Sequence, residues 1–338
     1  MKLAIHSKKG SFSDDWIEYC KEKNVQFKLV DCYSSSIIDD LRECDGLMWH
    51  WHHTDPKAVL FAKQLTFSLE KIGIKVFPSS STSWHFDDKV GQKYLFEAIG
   101  IPLVPSHVFY DKKTAFDWIH KSTFPKVFKL RGGSSAVNVK LVKSARAAEA
   151  IVRQAFGRGF SPKNRQAILE DRLRVFKKKK DLYTFYLLLR GVVRYFIPTE
   201  FEKLNGPEKG YVYFQDFIEG NTYDTRVVVV GNKCFAIRRY NRENDFRASG
   251  SGNKHYDDPK LFDINCIRLA RETTKQLNAQ SLAFDFLVDK DNKPLIVEIS
   301  YCFTSGAFPG YWDEDDVWHN EKVNVRKLMI EEFIKILE

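Results

Sequence analysis

The chain has 338 residues, 43% of them apolar, and a formal net charge of 53 − 44 = +9. Length and apolar content exclude a disordered or fibrous chain and leave room for two or three units with substantial cores. The positive charge points to acidic ligands, phosphorylated ones as readily as nucleic acid, although much of it is local, at Arg172, Arg174 and residues 177–180, which are expected as solvated loop.

Six cysteines without a Cys-x-x-Cys pair read as reduced thiols. The only early apolar run, residues 3–5, is too short for a signal peptide, and no long apolar span follows. A cytoplasmic protein without a membrane span is expected.

Strands expected at residues 1–5, 25–30, 46–51 and 75–77 alternate with helices at 15–23, 37–42 and 56–72. That alternation means a parallel sheet with crossover helices, ending near residue 82. Within Met48-Trp49-His50-Trp51-His52-His53, His50 and His52 share one face of a strand. They read as an ordinary strand end or as a substrate-facing edge, since ligands gather at C-terminal strand ends in open α/β sheets. A metal is the third reading, without a carboxylate-rich partner segment to support it.

The Ser/Thr cluster at 79–83 signals the start of a helix that Gly100 and Pro102 close. Residues 124–130 make a strand carrying Lys129, followed by a small-residue turn through Gly132, Gly133 and Ser134. Such a hairpin can cover phosphate with its N–H groups, or it is a flexible turn beside a snorkelling lysine. Further on, 168–170 reads as a strand and 184–189 with 192–197 as a hairpin about Arg190 and Gly191.

Residues 211–218 form an aromatic strand that ends in Gln215-Asp216-Phe217-Ile218, with Glu219 just beyond. Residues 223–230 and 234–240 pair around the Gly231-Asn232 turn. That pairing brings Arg226 near Arg238 or Arg239, two guanidinium groups suited to bidentate phosphate contact. Arg247 precedes a small-residue loop over 248–253, and 259–277 is a long helix.

Two apolar strands then flank a turn, 282–288 and 294–299, each with one carboxylate, Asp285 and Glu298. A buried carboxylate wants a cation or donors. Directly opposite each other, the two would lie about 5 Å apart on one face. A hard divalent cation between them would relieve their repulsion; donors from backbone or arginine would serve as well. An aromatic loop at 301–313 and a closing helix at 323–337 complete the chain.

The order of these signals is more telling than any one of them. Asp88-Lys89 opens a helix; Gly100-Ile101-Pro102, Phe124-Pro125 with Lys129, and Gln215 to Ile218 follow. Then come Asp224-Thr225-Arg226, Arg238-Arg239, Asp245-Phe246-Arg247, Asp285 and Glu298-Ile299-Ser300. This succession resembles the ATP-grasp superfamily over about residues 85–335, most of all its ribosomal-protein glutamate ligase and glutathione synthetase branch.

The resemblance implies an α/β and α+β protein. A parallel α/β domain (1–82) would precede an ATP-grasp fold of two α+β subdomains (83–218, with an insertion at 171–205, and 219–338). ATP would lie between the subdomains. Lys89, Lys129, Gly133 and Ser134 would meet its phosphates, Gln215, Asp216, Phe217 and Ile218 its adenine, and Glu219 its ribose. Mg²⁺, as two ions, would sit on Asp285, Glu298 and Ser300, the last replacing the family's usual Asn. Arg226, with Arg239 or its neighbour Arg238, would neutralise the transferring phosphoryl group, and Arg247 would hold a substrate carboxylate.

The implied activity is a carboxylate–amine ligase that works through an acyl-phosphate and releases ADP and phosphate. Its partners would be small-molecule carboxylates and amines. The aromatic loop, with Tyr311 and Trp312, would face the acceptor and adds the expectation of a carboxylated sugar or glycan precursor. The alternatives are a phosphotransferase on the same fold and a polyanion-binding protein using the basic cluster. A nucleic-acid partner is not expected, for want of a basic–aromatic ladder, and a homo-oligomer is compatible with each reading.

Overall fold

The computed structural model describes residues 1–133, 138–162, 165–243, 245–303 and 306–338; Ser134, expected at the phosphates, lies outside them. The first unit follows its sequence alternation: β1 (Lys2–His6), α1 (Phe12–Glu22), β2 (Gln26–Val30), α2 (Ile37–Asp40), β3 (Gly46–Met48), α3 (Pro56–Lys71) and β4 (Lys75–Phe77). They form a parallel sheet in the order β2-β1-β3-β4. Leu3, Ala4 and Ile5 are wholly buried, because both faces of a parallel sheet are covered. Asp55 caps α3 by accepting from the N–H groups of Lys57 and Ala58, with Pro56 at the first helical position. Since β3 stops at Met48, residues 49–53 leave the sheet at its C-terminal edge.

The Ser/Thr cluster starts only the short α4 (Ser80–Ser83), capped by Ser79. The next helix, α5 (Lys89–Ile99), has its own cap in Asp88 and ends on the left-handed Gly100. Its Gln92 side chain holds both the N–H and the C=O of Ile299, at 3.0 and 2.9 Å. That contact ties the helix bearing Lys89 to the strand bearing Glu298.

The middle unit comprises β5 (Ser106–Phe109), α6 (Lys112–Ile119), β6 (Lys126–Lys129), β7 (Lys140–Val142), α7 (Ala145–Ala155), α8 (Arg165–Lys179), α9 (Leu182–Phe196), α10 (Glu200–Asn205) and β8 (Val212–Asp216). Its antiparallel sheet runs β5-β8-β6-β7 over a core that includes Phe128, Val152 and Phe214.

Here two sequence expectations fail. Residues 168–170, expected as a strand, lie within α8, and the hairpin expected at 184–197 is the single helix α9. The β-propensity of Thr184, Phe185, Tyr186, Val192 and Val193 competes with apolar spacing of three and four along Leu182, Phe185, Leu189, Val193 and Phe196. Asp181 decides the start by accepting from the Thr184 N–H at 2.7 Å. Gly191 lets the two helices close, since a Cβ there would stand 2.8 Å from Cδ of Arg172. Residues 177–179 therefore end a helix instead of forming a loop.

The last unit contains β9 (Tyr223–Val230), β10 (Lys233–Tyr240), β11 (Lys254–His255), α11 (Ile264–Gln276), β12 (Ser281–Val288), β13 (Pro294–Ser300), β14 (Ala307–Phe308), β15 (Tyr311–Trp312), β16 (Trp318–His319), β17 (Val323–Asn324) and α12 (Val325–Leu337). The main sheet runs β13-β12-β9-β10-β15-β16, with β11 on β10. Tyr311 and Trp312, expected in a loop facing the acceptor, are core residues instead: Tyr311 packs on Phe235, and Trp312 on Phe262 and Trp318. Helix α12 returns to the first unit, where Phe333 lies so close to Gly46 that a Cβ there would clash at 2.9 Å. Among the described residues no helix is long and apolar enough to cross a membrane.

Candidate active site

Strand register assembles the charged centre. Antiparallel pairing sets Asp285 of β12 opposite Glu298 of β13 and also opposite Arg226 of β9, while Asp224 of β9 faces Arg239 of β10. Directly paired residues share a sheet face, so the two expected acids do stand together. Arg226 binds Asp285 through two N–H groups at 2.7 and 2.9 Å. Arg239 adds a contact to Asp285 at 2.8 Å and grips both oxygens of Asp224 at 2.6 Å. Arg238 turns away, stacking over Tyr223 and donating to the carbonyl of Leu261.

This lattice is buried: Asp285 is 7% exposed and Arg239 5%. Burial pushes the Asp285 carboxyl up, but Arg226 and Arg239 outweigh it and hold it well below the usual carboxylate range. Burial likewise opposes the charge on Arg239, and Asp285 with Asp224 keeps it protonated. At Asp224 the balance reverses: burial, with the charge of Asp285 nearby, raises it despite Arg239.

Two lysines face this centre. Lys129 on β6 donates to Oε1 of Gln215 at 2.6 Å, and burial pushes its ammonium down to about 8. Lys89, at the start of α5, donates to the carbonyl of Gly133 at 2.9 Å and lies 3.4 Å from Glu298. Burial opposes its charge too, yet Glu298 and Asp87 raise its pKa above the ordinary lysine value. Asp87 accepts from the Gly133 N–H at 2.8 Å, and burial pushes its carboxyl up to about 6. Asp216 pairs with Lys126 at 2.7 Å and with His107 at 3.3 Å.

Two clefts meet at these groups. The first, with about 930 Å³ of empty space, brings together Lys89, Lys129, Gly133, Gln215, Asp216, Phe217, Ile218, Arg239, Arg247, Asp285 and Glu298, as expected of one ligand site. Arg247 is tied to Asp245 at 2.6 Å. Glu219 is exposed beyond this cleft. The second cleft, about 1620 Å³, shares Lys89, Gly133, Arg239, Ser249 and Glu298 with the first. It adds Arg226, Ser300, Lys254 and Arg326, with His50, His52 and His53 from the first unit.

The hydroxyl of Ser300 donates to the carbonyl of Cys302 at 2.8 Å and accepts that residue's N–H at 3.1 Å, closing its own turn. The three histidines line the second cleft from the segment beyond β3, so the strand face expected to carry His50 and His52 is not formed. His50 stacks on Phe12 at 3.7 Å between ring centroids and sits 3.2 Å from the Cys302 sulfur. Donor atoms of His52, His53 and Cys302 lie within 4.8 Å of one another.

Asp285 and Glu298 offer hard oxygens side by side, a donor set that fits Mg²⁺ once Asp285 shares its oxygens with the guanidinium groups. Three contributors escaped the sequence reading. Asp87 carries no mark in the sequence beyond standing before the Asp88 cap; its positive φ of 53° and its bond to Gly133 belong to the fold. Nothing in the local spacing of Lys254 and Arg326 marks them for this cleft either.

No protein-family model matches the chain, and no curated protein matches it in sequence. Its backbone is similar to that of a RimK domain ATP-grasp protein from Sphaerobacter thermophilus, with 17% identity over 90% of this chain and 92% of that one, and a TM-score of 0.54. It is similar to the D-cycloserine synthetase DcsG at 13% identity over the whole of both chains, with a TM-score of 0.59. A D-alanine–D-alanine ligase from Bacillus anthracis complexed with ATP shares 15% identity over 89% of this chain and 86% of that one, with a TM-score of 0.53. The architecture implied by the motif order is thus the one the backbone adopts: this chain has the ATP-grasp fold.

Proposed function

We propose that the chain is an ATP- and Mg²⁺-dependent carboxylate–amine ligase that works through an acyl-phosphate. The observation that carries this reading is the junction of the two clefts at Lys89, Arg239 and Glu298. The first cleft suits a nucleotide: Val127, Phe217, Leu287 and Val297 offer apolar faces to a purine, and Lys89 and Lys129 stand where phosphates would end. The second suits an anionic acceptor, with Arg226, Lys254 and Arg326 in its wall.

The chemistry needs these groups. A carboxylate is a poor electrophile, so its oxygen first attacks the γ-phosphorus and ADP departs. An amine then attacks the acyl carbon, and phosphate leaves. Both steps build negative charge, which Arg226 and Arg239 meet from fixed positions. Asp285 and Glu298 would hold Mg²⁺, which supplies charge neutralisation at the phosphate oxygens. Holding two reactants at one junction can itself supply about 7–11 kcal/mol of the barrier. A carboxylated sugar is one acceptor of this charge to be tested; Phe12, Phe86 and Phe303 border the cleft but are buried, Phe12 being stacked on His50, so they offer a sugar ring no open face.

The test is ADP release with a panel of carboxylates, uronic acids included, crossed with a panel of amines. Release that needs both partners is the expected result. Release with a carboxylate alone and a stable phosphorylated product would replace the ligase by a phosphotransferase. Equal turnover with free amino acids and no sugar would remove the sugar from the reading.

A further inference from the structure

The middle unit carries a surface that nucleotide chemistry does not use. Among the described residues, 12 of the 24 exposed large apolar side chains fall between Leu173 and Leu204. On α9 the buried positions are Thr184 and Gly191, the latter against Arg172 of α8. Leu182, Phe185, Tyr186, Leu189, Val193 and Phe196 are all exposed, and at helical pitch they fall within about a 120° arc on the opposite side. An apolar stripe of this kind, turned outward, marks an interaction surface.

Cations surround it. Lys177, Lys179, Lys180, Arg190 and Arg194 are exposed. Residues 172–197 contain eight Lys and Arg against one acid, Asp181, so 8 − 1 = +7 of the chain's net +9 resides here.

We propose that the α8–α9 hairpin docks on an anionic lipid surface, with α9 lying in the plane of the interface. The stripe would enter the acyl boundary, Tyr186 within it would sit at headgroup level, and the lysines and arginines would meet anionic headgroups. At 15 residues α9 is about 22 Å long, so it lies on a bilayer and does not cross it. Charge disfavours a second copy as the occupant, because a two-fold contact would set +7 against +7. Nucleic acid would satisfy the charge but leave the stripe in water.

The test is co-sedimentation of the full chain with vesicles of phosphatidylcholine alone or of equal parts phosphatidylcholine and phosphatidylglycerol. Binding to the anionic vesicles should be at least about tenfold tighter than to the neutral ones and should weaken with salt. It should be lost in the double variant Leu189→Asp/Val193→Asp, whose melting should match the parent because both positions are at least half exposed. A second variant, Lys177→Gln/Lys179→Gln/Lys180→Gln, should weaken anionic binding without altering the fold. Failure to bind anionic vesicles would overturn the proposal, as would undiminished binding by both variants. So would a concentration-dependent dimer of the parent that the first variant abolishes.

Discussion

The sheet around Asp285 and the hairpin of α8 and α9 place their residues in opposite ways. Around Asp285, charged groups are buried and each has partners: Arg226 and Arg239 on Asp285, Arg239 again on Asp224, Lys129 on Gln215. On α9, apolar groups face water, and neighbouring cations stand in it as well. A buried ion survives only where its partners are complete, so removing one partner is costly. An exposed leucine supports no neighbour, and the fold would tolerate its replacement. The first region is therefore bound into stability and chemistry together, whereas the second answers to something outside the chain.

The sharpest way to break this contrast is Arg239→Met, which leaves Asp285 and Asp224 buried without their shared cation. The expected loss is about 3–5 kcal/mol of unfolding free energy by urea titration. A loss no larger than that of a surface change would mean that the buried charges do not depend on one another.

Next is Glu298→Gln, which keeps shape and removes charge from a side chain that is 32% exposed at the cleft junction. ADP release should fall by about 10²–10³-fold, comparable to losing one fixed electrostatic contact in other active sites, with the melting temperature little changed. Turnover within a few fold of the parent would count against Glu298 as a reaction-centre group.

Lys129 separates charge from packing through pH. Its folded-state pKa is pushed down to about 8 from 10.5, so between those values the unfolded chain holds a proton that the native chain has released. Stability should therefore rise with pH across that window, and the destabilising effect of the buried ammonium should be fully present below it. In Lys129→Met the rise should flatten. The same slope in both proteins would show that the ammonium is not desolvated.

The smallest effect belongs to the other region. Leu189→Asp should change unfolding free energy by no more than about 0.5 kcal/mol, because the side chain is half exposed already. A loss of several times that amount would show that the stripe supports the hairpin, and the contrast would dissolve.

Much of the site was readable from single residues. A carboxylate in each of two apolar strands, a lysine on an apolar strand before a glycine turn, and arginines on paired strands are all local contradictions of a hydrophobic pattern. Such contradictions locate Asp285, Glu298, Lys129, Arg226 and Arg239. The α9 segment hides its helix for the converse reason: Phe185, Tyr186, Val192 and Val193 agree with a strand residue by residue. Only their spacing, the Asp181 cap and Gly191 against Arg172 select the helix.

By itself the sequence determined which groups had to be brought together, because burial of a charge is a demand that composition and pattern already state. Tertiary structure decided how the demand was met. Register made Arg226, and not a distant cation, the partner of Asp285, and turned Arg238 outward while Arg239 faced in. It also brought His50 and Arg326, 276 residues apart, to one cleft. Side-chain periodicity is a local property of the chain, whereas which strand lies beside which depends on packing between segments that no local spacing records.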